Sequence, residues 1–378
     1  MALSPEKKKQ AQKMIQKFLK DHKDEEQERI KIGFLAEDEK LGKIEKLPTG
    51  LIALDTLTNG GLAKGHVNLI YGGESAGKTT TFFEIIKHCQ RTLTDFLPGY
   101  VSAEKSLDRI YAAAVGVDAN EVVIMEGETA ENNTDFCIQA ADPENGYNLL
   151  IVDTLQALAS KQELYKGSTE TVRSTEDNSM ALLPRVYSQF FRMYTSRSIG
   201  QLTLLFGSQV RTDLSNPMFA RDKQTGGNAL KHYNLITIQM RRAGDSEWPT
   251  GKDGVPPNSF VVVLSLDKAK IPNRYRGNKI NMYFKEGKFE HKFNVVALAK
   301  DIGLHDGKTL KYEVDEPLAD SASETKEVEF KARGFNDFYN RIPDEAVEWL
   351  EKRINEAYTK QVMSYEGDVN EDQPENAD

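Results

Sequence analysis

Cysteine is almost missing from this sequence: Cys89 and Cys137 are the only two among 378 residues. Two thiols exclude a disulfide framework and a four-thiolate zinc site, and they fit a reducing compartment. Long hydrophobic runs are missing too, and the polar, basic opening MALSPEKKKQ has no apolar stretch behind it. We therefore expect no membrane partner and a cytoplasmic location. With only 13 prolines, 39% hydrophobic and 28% charged residues, the composition is neither collagenous nor that of a disordered chain. An excess of positive charge is also lacking, since 49 basic and 58 acidic residues leave a net charge of −9. A polyanion would have to be met by a local basic patch.

The length exceeds that of a usual single domain and predicts one large core with appendages. Residues 1–45 are read as an N-terminal helical oligomerisation segment. Ser4 and Pro5 form a cap and first-turn signal, and Ala11, Met14, Ile15, Phe18 and Leu19 recur at helical spacing. This thin stripe suits either the chain's own core or a neighbouring subunit. From Lys46 the texture changes to short β-rich runs (HVNLIYG, YVSA, LLIVDT, LTLLFGS, LITIQM) separated by helical stretches, which predicts βαβ units and a mostly parallel, buried sheet. SFVVVLSLDK and KINMYFKEGKFE follow as hairpin additions to one edge. The core thus spans 46–290, a small C-terminal domain 291–365, and an acidic, disordered tail 366–378, with six acids and no base.

The strongest local signal is Gly72-Gly73-Glu74-Ser75-Ala76-Gly77-Lys78-Thr79, a GxxxxGK[ST] pattern between a strand-like run and the helix-like TTTFFEIIKHCQ, which begins at Thr79 and Thr80. Glycines let backbone N–H groups close around phosphate oxygens, Lys78 reaches the β- and γ-phosphates, and the Thr79 hydroxyl ligates magnesium. The apolar strand Leu149–Val152 delivers Asp153 at its C-terminal end, the position of a Walker B carboxylate that holds Mg2+ through water. Glu104 follows the strand YVSA. Spacing alone leaves open whether it activates water or is a solvated loop residue.

Residues Leu51 to Glu290, roughly two thirds of the chain, resemble the RecA-type recombinases, in particular bacterial RecA proteins and their phage-encoded relatives. The resemblance rests on the phosphate loop, on Ala103-Glu104-Lys105-Ser106-Leu107-Asp108-Arg109-Ile110-Tyr111-Ala112, and on Thr225-Gly226-Gly227-Asn228-Ala229-Leu230-Lys231. It implies an α/β P-loop NTPase core with a mostly parallel twisted sheet. It further implies ATP and Mg2+ as cofactors, Glu104 as general base, and Asp108 and Tyr111 as contacts to the adenine. Gln209 takes the place of a γ-phosphate sensor leading into the second DNA-binding loop. Lys268 and Lys270 match a pair that reaches a neighbouring subunit's phosphates.

Between residues 185 and 242, nine basic residues face two acids, a local charge of +7 inside a chain of −9. Such an excess suits phosphate neutralisation. On the resemblance, Arg185, Ser188 and Arg192 contact the DNA backbone after the first loop. The second loop would run from Val210 to Thr225, with Arg211, Gly226, Gly227 and Asn228 at phosphates and Leu214 or Met218 between bases. The implied protein is a DNA-dependent ATPase that forms a homo-oligomeric filament on single-stranded DNA and pairs it with homologous double-stranded DNA. Single-strand-binding and loader proteins would be its partners, in a bacterial cell or a phage-infected host. A hexameric helicase of the same core and an ATP-binding filament scaffold without strand exchange are the alternatives.

The sequence departs from the family pattern in places. His232 replaces an aromatic residue at the inter-subunit relay, Gly207-Ser208 before Gln209 lacks the usual asparagine, and the first loop, KGSTETVRSTEDN, is long. Arg274 and Arg276 resemble a motif of RadA-like proteins, which offers an arginine for the trans cation.

Overall fold

The computed structural model describes residues 4–21, 32, 34, 44–154, 157–166, 171–172, 182–198, 200–213, 221–224, 227–243, 258–270, 279–317 and 323–370. The chain divides into two compact units, Met1–Glu45 and Lys46–Asp378. In the first, helix α1 spans Pro5–Asp21 and is capped by Ser4, whose Oγ accepts from the Lys7 N–H at 3.4 Å. None of its residues is buried.

The second unit begins with β1 (Lys46–Leu47), α2 (Ile52–Thr58), β2 (Leu62–Ala63) and β3 (Val67–Gly72). Then come α3 (Lys78–Thr92), β4 (Pro98–Ser102), α4 (Arg109–Val115), β5 (Val123–Met125), α5 (Ala130–Ala140) and β6 (Leu149–Asp153). Two helices, α6 (Lys161–Leu164) and α7 (Leu182–Arg197), precede β7 (Thr203–Asp213), β8 (Arg221–Gln224), α8 (Gly227–Tyr233) and β9 (Ile236–Arg242). Strands β10 (Ser259–Ala269), β11 (Lys279–Lys285) and β12 (Lys288–Phe289) complete the sheet. The chain ends with α9 (His291–Asp301), β13 (Thr309–Pro317), β14 (Ser323–Lys331), α10 (Phe335–Arg341) and α11 (Asp344–Asn370).

Ten strands form one sheet in the order β12-β11-β10-β9-β3-β7-β6-β4-β5, with β8 paired to β7. From β9 to β5 the pairing is parallel, and β10 and β11 add antiparallel at one side, the hairpin addition expected of their sequences. All six residues of β3 are buried, as suits a strand covered on both faces. Leu69, Val101, Val152, Leu204 and Phe206 pack against Phe190, Phe191 and Tyr194 of α7, which forms one core cluster.

Three expectations need correction. Strand β7 continues to Asp213 and pairs with β8 from Val210 to Asp213, so the second loop has a hairpin stem where the sequence reading began the loop. Phe293, Val296, Phe338, Leu350 and Ile354 share one apolar cluster with Ile52, Val261 and Tyr283. The C-terminal segment is therefore a lobe continuous with the core, because the antiparallel edge strands offer it an apolar face. Finally, α11 extends to Asn370, into the segment read as a disordered tail, and residues 371–378 lie outside the described residues. No described helix is long and apolar enough to cross a membrane.

Candidate functional site

Pairing register gathers the candidate residues at one edge. Gly72 ends β3 and lies opposite Gln209 of β7, while Asp153 ends β6 opposite Ser102 of β4, two residues before Glu104. The C-terminal ends of adjacent parallel strands are where open α/β sheets bind ligands.

The loop from Gly72 to α3 curls inward. Ser75 and Gly77 adopt left-handed φ values of 55° and 84°, which turns successive N–H groups into a concave nest. At Gly72 a Cβ would lie 2.1 Å from the Met240 carbonyl oxygen, so only glycine lets β3 and β9 approach this closely. Around Gly73, by contrast, there is open space. Lys78 Nζ donates to the Gly72 and Gly73 carbonyls at 2.9 and 2.8 Å. Burial holds its pKa below the ordinary value, and the charges of Asp153, Glu104 and Glu74 oppose that shift. An ammonium stripped of water beside an open nest is built to meet phosphate oxygens. Glu74 and Ser75 are exposed on the loop, and Ala76 is buried beneath it.

Thr79 Oγ1 donates to Asp153 Oδ2 at 3.0 Å, and the Tyr100 hydroxyl donates to the same oxygen at 2.6 Å. Burial raises the Asp153 pKa, against these two donors and Lys78. A hydroxyl and one carboxylate are hard oxygen donors that suit Mg2+, which keeps several waters and shares substrate phosphates. Among the described residues no group of three or more His, Cys, Asp or Glu side chains forms an all-protein cage. The residues thus fit magnesium carried in with a polyphosphate.

Glu104 is exposed on one side, and its Oε1 accepts from Thr154 Oγ1 at 2.8 Å and from Gln209 Nε2 at 2.9 Å. Thr154 and Tyr100 escaped the sequence reading. Thr154 directly follows Asp153, and Tyr100 lies on the strand paired with β6, so adjacency to the carboxylate was the signal available.

The Tyr111 hydroxyl shares a hydrogen bond with Thr80 Oγ1 at 2.5 Å and donates to the Gly287 carbonyl at 3.1 Å. Its ring stands edge-on to Phe83. Asp108 caps α4, its Oδ1 accepting from the Ile110 and Tyr111 N–H groups. The two expected base contacts are thus joined, because Asp108 fixes the turn that presents Tyr111.

Residues 15–288 match the RecA N-terminal domain. The chain belongs to the RecA family. It is similar to the protein named Protein RecA of Francisella philomiragia, with 30% identity over 258 residues that cover 67% of each chain. Its similarity to Protein RecA of Francisella tularensis subsp. novicida has the same identity and extent. The large, mostly parallel sheet with its flanking helices is a RecA-like α/β core.

On this RecA-family core, Arg185, Ser188 and Arg192 lie on α7 at spacings of three and four, so they share one face. Both arginines are exposed, whereas Tyr187, Phe190, Phe191 and Tyr194 are buried. Arg197, counted in the basic excess, is paired with Asp142. Arg211 lies in β7 opposite Lys223 of β8, and Gly227 and Asn228 open α8. Thr225, Gly226, Leu214, Met218, Arg274, Arg276 and most of the first loop lie outside the described residues.

Lys268 and Lys270 are not at the phosphate loop of their own chain. Lys268 pairs with Thr237, and Thr237 with Leu69, three residues before Gly72, roughly 10 Å back along the sheet. Lys268 Nζ donates to the Lys231 carbonyl and, at 2.9 Å, to Asn234 Oδ1, and Lys270 Nζ donates to the His232 carbonyl. Both therefore cap the C-terminus of α8, where cations oppose the helix dipole.

Proposed function

We propose that this protein is a DNA-dependent ATPase that forms helical filaments on single-stranded DNA and catalyses homologous pairing and strand exchange. The observation that carries this reading is the hydrogen bond from Gln209 to Glu104. It joins a hydrolytic carboxylate to β7, the strand that leads without interruption into the basic β7–β8 hairpin.

Lys78 and the loop N–H groups hold the β- and γ-phosphates of ATP. Thr79 and Asp153 hold magnesium, which neutralises charge on the phosphate oxygens when bound. Glu104 receives a proton from the water that attacks the γ-phosphorus. With Oε1 taken by Thr154 and Gln209, Oε2 is left to face that water. Tyr111 stacks on the adenine, and Asp108 holds it in place.

Gln209 senses the γ-phosphate and passes the nucleotide state to the hairpin, an order–disorder type of switch. Arg185, Ser188, Arg192, Arg211, Gly226, Gly227 and Asn228 bind the strand's phosphates. Such contacts carry little sequence preference, so specificity comes from pairing with the second DNA. Lys268 and Lys270, set back from their own phosphate loop, act on the nucleotide of the next subunit. The test is a strand-exchange assay with circular single-stranded DNA and its homologous linear duplex. Joint molecules that need ATP and homology support the reading; filaments that hydrolyse ATP without making them would reduce it to the scaffold.

A further inference from the structure

A small cavity of about 10 Å³ lies in the core beside the hydrolytic site. Ala103, Asn133, Thr154, Tyr187, Phe190 and Phe206 are among the residues that line it. About one water fits a volume of this order, provided that polar groups hold it. Two facts point to such an occupant. Asn133 is only 5% exposed, yet its Nδ2 has no hydrogen-bond partner among the described residues. Its Oδ1 accepts from the Gly127 N–H at 3.0 Å, which fixes which end of the amide points away from that loop. A buried donor left unmade is a considerable penalty, and ordered water is the usual remedy.

Two hydroxyls in the lining have the complementary sense. Thr154, 2% exposed, directs its hydroxyl hydrogen to Glu104 Oε1, because a carboxylate has no hydrogen to give. Thr134, also in the lining, donates to the Ala130 carbonyl at 2.9 Å. Both hydroxyl oxygens keep lone pairs for an incoming donor. A single water accepting from Asn133 Nδ2 and donating to Thr154 and Thr134 would make three hydrogen bonds, the usual number for a buried water.

We propose that this cavity binds one ordered water linking Asn133 to Thr154, and that Asn133 and Thr154 are positioning residues that aim Glu104 through it. The inference rests on the reading of Glu104 as the base. Every donor in the chain points the same way, from Asn133 to water to Thr154 to Glu104 Oε1, so Oε1 is pinned and Oε2 is presented to the attacking water. Tyr187 and Phe190 bring α7 into the wall of the same cavity, and the exposed face of α7 carries Arg185 and Arg192. Binding of a strand to that face and the aim of the carboxylate thus share one helix.

The experiment compares wild type with Thr154→Val, Thr154→Ser and Glu104→Gln in DNA-stimulated ATP hydrolysis, alongside a high-resolution crystal structure of the full chain. The structure should hold a water within about 3.2 Å of both Asn133 Nδ2 and Thr154 Oγ1. Thr154→Val should lower kcat about tenfold with KM for ATP nearly unchanged, inside the hundredfold that a misplacement of about 1 Å costs. Thr154→Ser should restore most of the rate. A dry cavity, a wild-type kcat in Thr154→Val, or a Thr154→Ser as slow as the valine variant overturns the proposal. Glu104→Gln separates the failures. A wild-type rate there removes the base itself, whereas its inactivity beside a fully active Thr154→Val overturns the positioning role alone.

Discussion

Gln209 Nε2 donates to Glu104 Oε1 at 2.9 Å, although 105 residues separate the two in sequence. The contact exists because β3 and β7 pair with Gly72 opposite Gln209, which brings the end of β7 level with the phosphate loop. If this bond carries the nucleotide signal, Gln209→Ala should keep ATP binding and lose the stimulation of hydrolysis by single-stranded DNA. The expected loss is roughly a hundredfold, the lower end of the range seen when one preorganised donor is removed. Stimulation equal to wild type in a steady-state assay would show that the signal travels elsewhere.

Lys78 and Arg211 should separate two functions. Lys78→Ala removes the cation in the nest and should abolish nucleotide-driven filament formation, by electron microscopy, along with hydrolysis. Arg211→Ala should mainly weaken DNA binding and the stimulation that follows from it. Equal loss of DNA-independent hydrolysis in both variants would undo this division.

Salt titration reads the α7 face. Each phosphate neutralised on a single strand contributes about 0.7 to the slope of log Kobs against log salt. Arg185→Ala and Arg192→Ala should each lower that slope by about this amount, in fluorescence anisotropy with a labelled oligonucleotide. Arg197→Ala should leave it unchanged, because Asp142 already engages that guanidinium. A drop at Arg197 equal to the others would place the strand across a different surface.

Within the C-terminal lobe, α9 and α11 are joined by a titratable pair, His291 Nε2 and Glu351 Oε2, 3.0 Å apart. The hydrogen bond that His291 donates to Glu351 raises the His291 pKa above 6.5 against burial, and the same bond holds Glu351 below 4.5. A raised folded pKa means that the histidine's contribution is complete below about pH 6.5 and is lost as pH rises through the raised value. The carboxylate's contribution is lost as pH falls below about 4.5, through its lowered value. His88, depressed by burial and by His291, titrates in the opposite sense, so the informative quantity is a difference between proteins. Urea unfolding should show wild type more stable than Glu351→Gln at about pH 5.5, with the gap narrowing by about pH 8.5. A gap independent of pH would contradict the pairing.

Much of this was legible in the sequence because it is local. The phosphate loop, the strand ending in Asp153 and the helix cap at Ser4 are each set by residues within one turn or strand. Long-range pairings were harder to read. Nothing in the spacing of Glu104, Thr154 and Gln209 says that they meet; the sheet order β7-β6-β4 brings them together. Lys268 and Lys270 carried a family match, but their contacts with the end of α8 depend on the antiparallel register of β10 and β9. The β7–β8 stem was missed because polar residues such as Arg211 and Thr212 read as loop, and their strand state comes from pairing.

The most direct measurement is ATP hydrolysis with and without single-stranded DNA, with electron micrographs of the same samples. The proposed coupling of Glu104 through Gln209 to the β7–β8 hairpin requires strong stimulation by the strand, together with DNA-coated helical filaments. Hydrolysis indifferent to DNA would contradict it, as would closed rings in place of filaments.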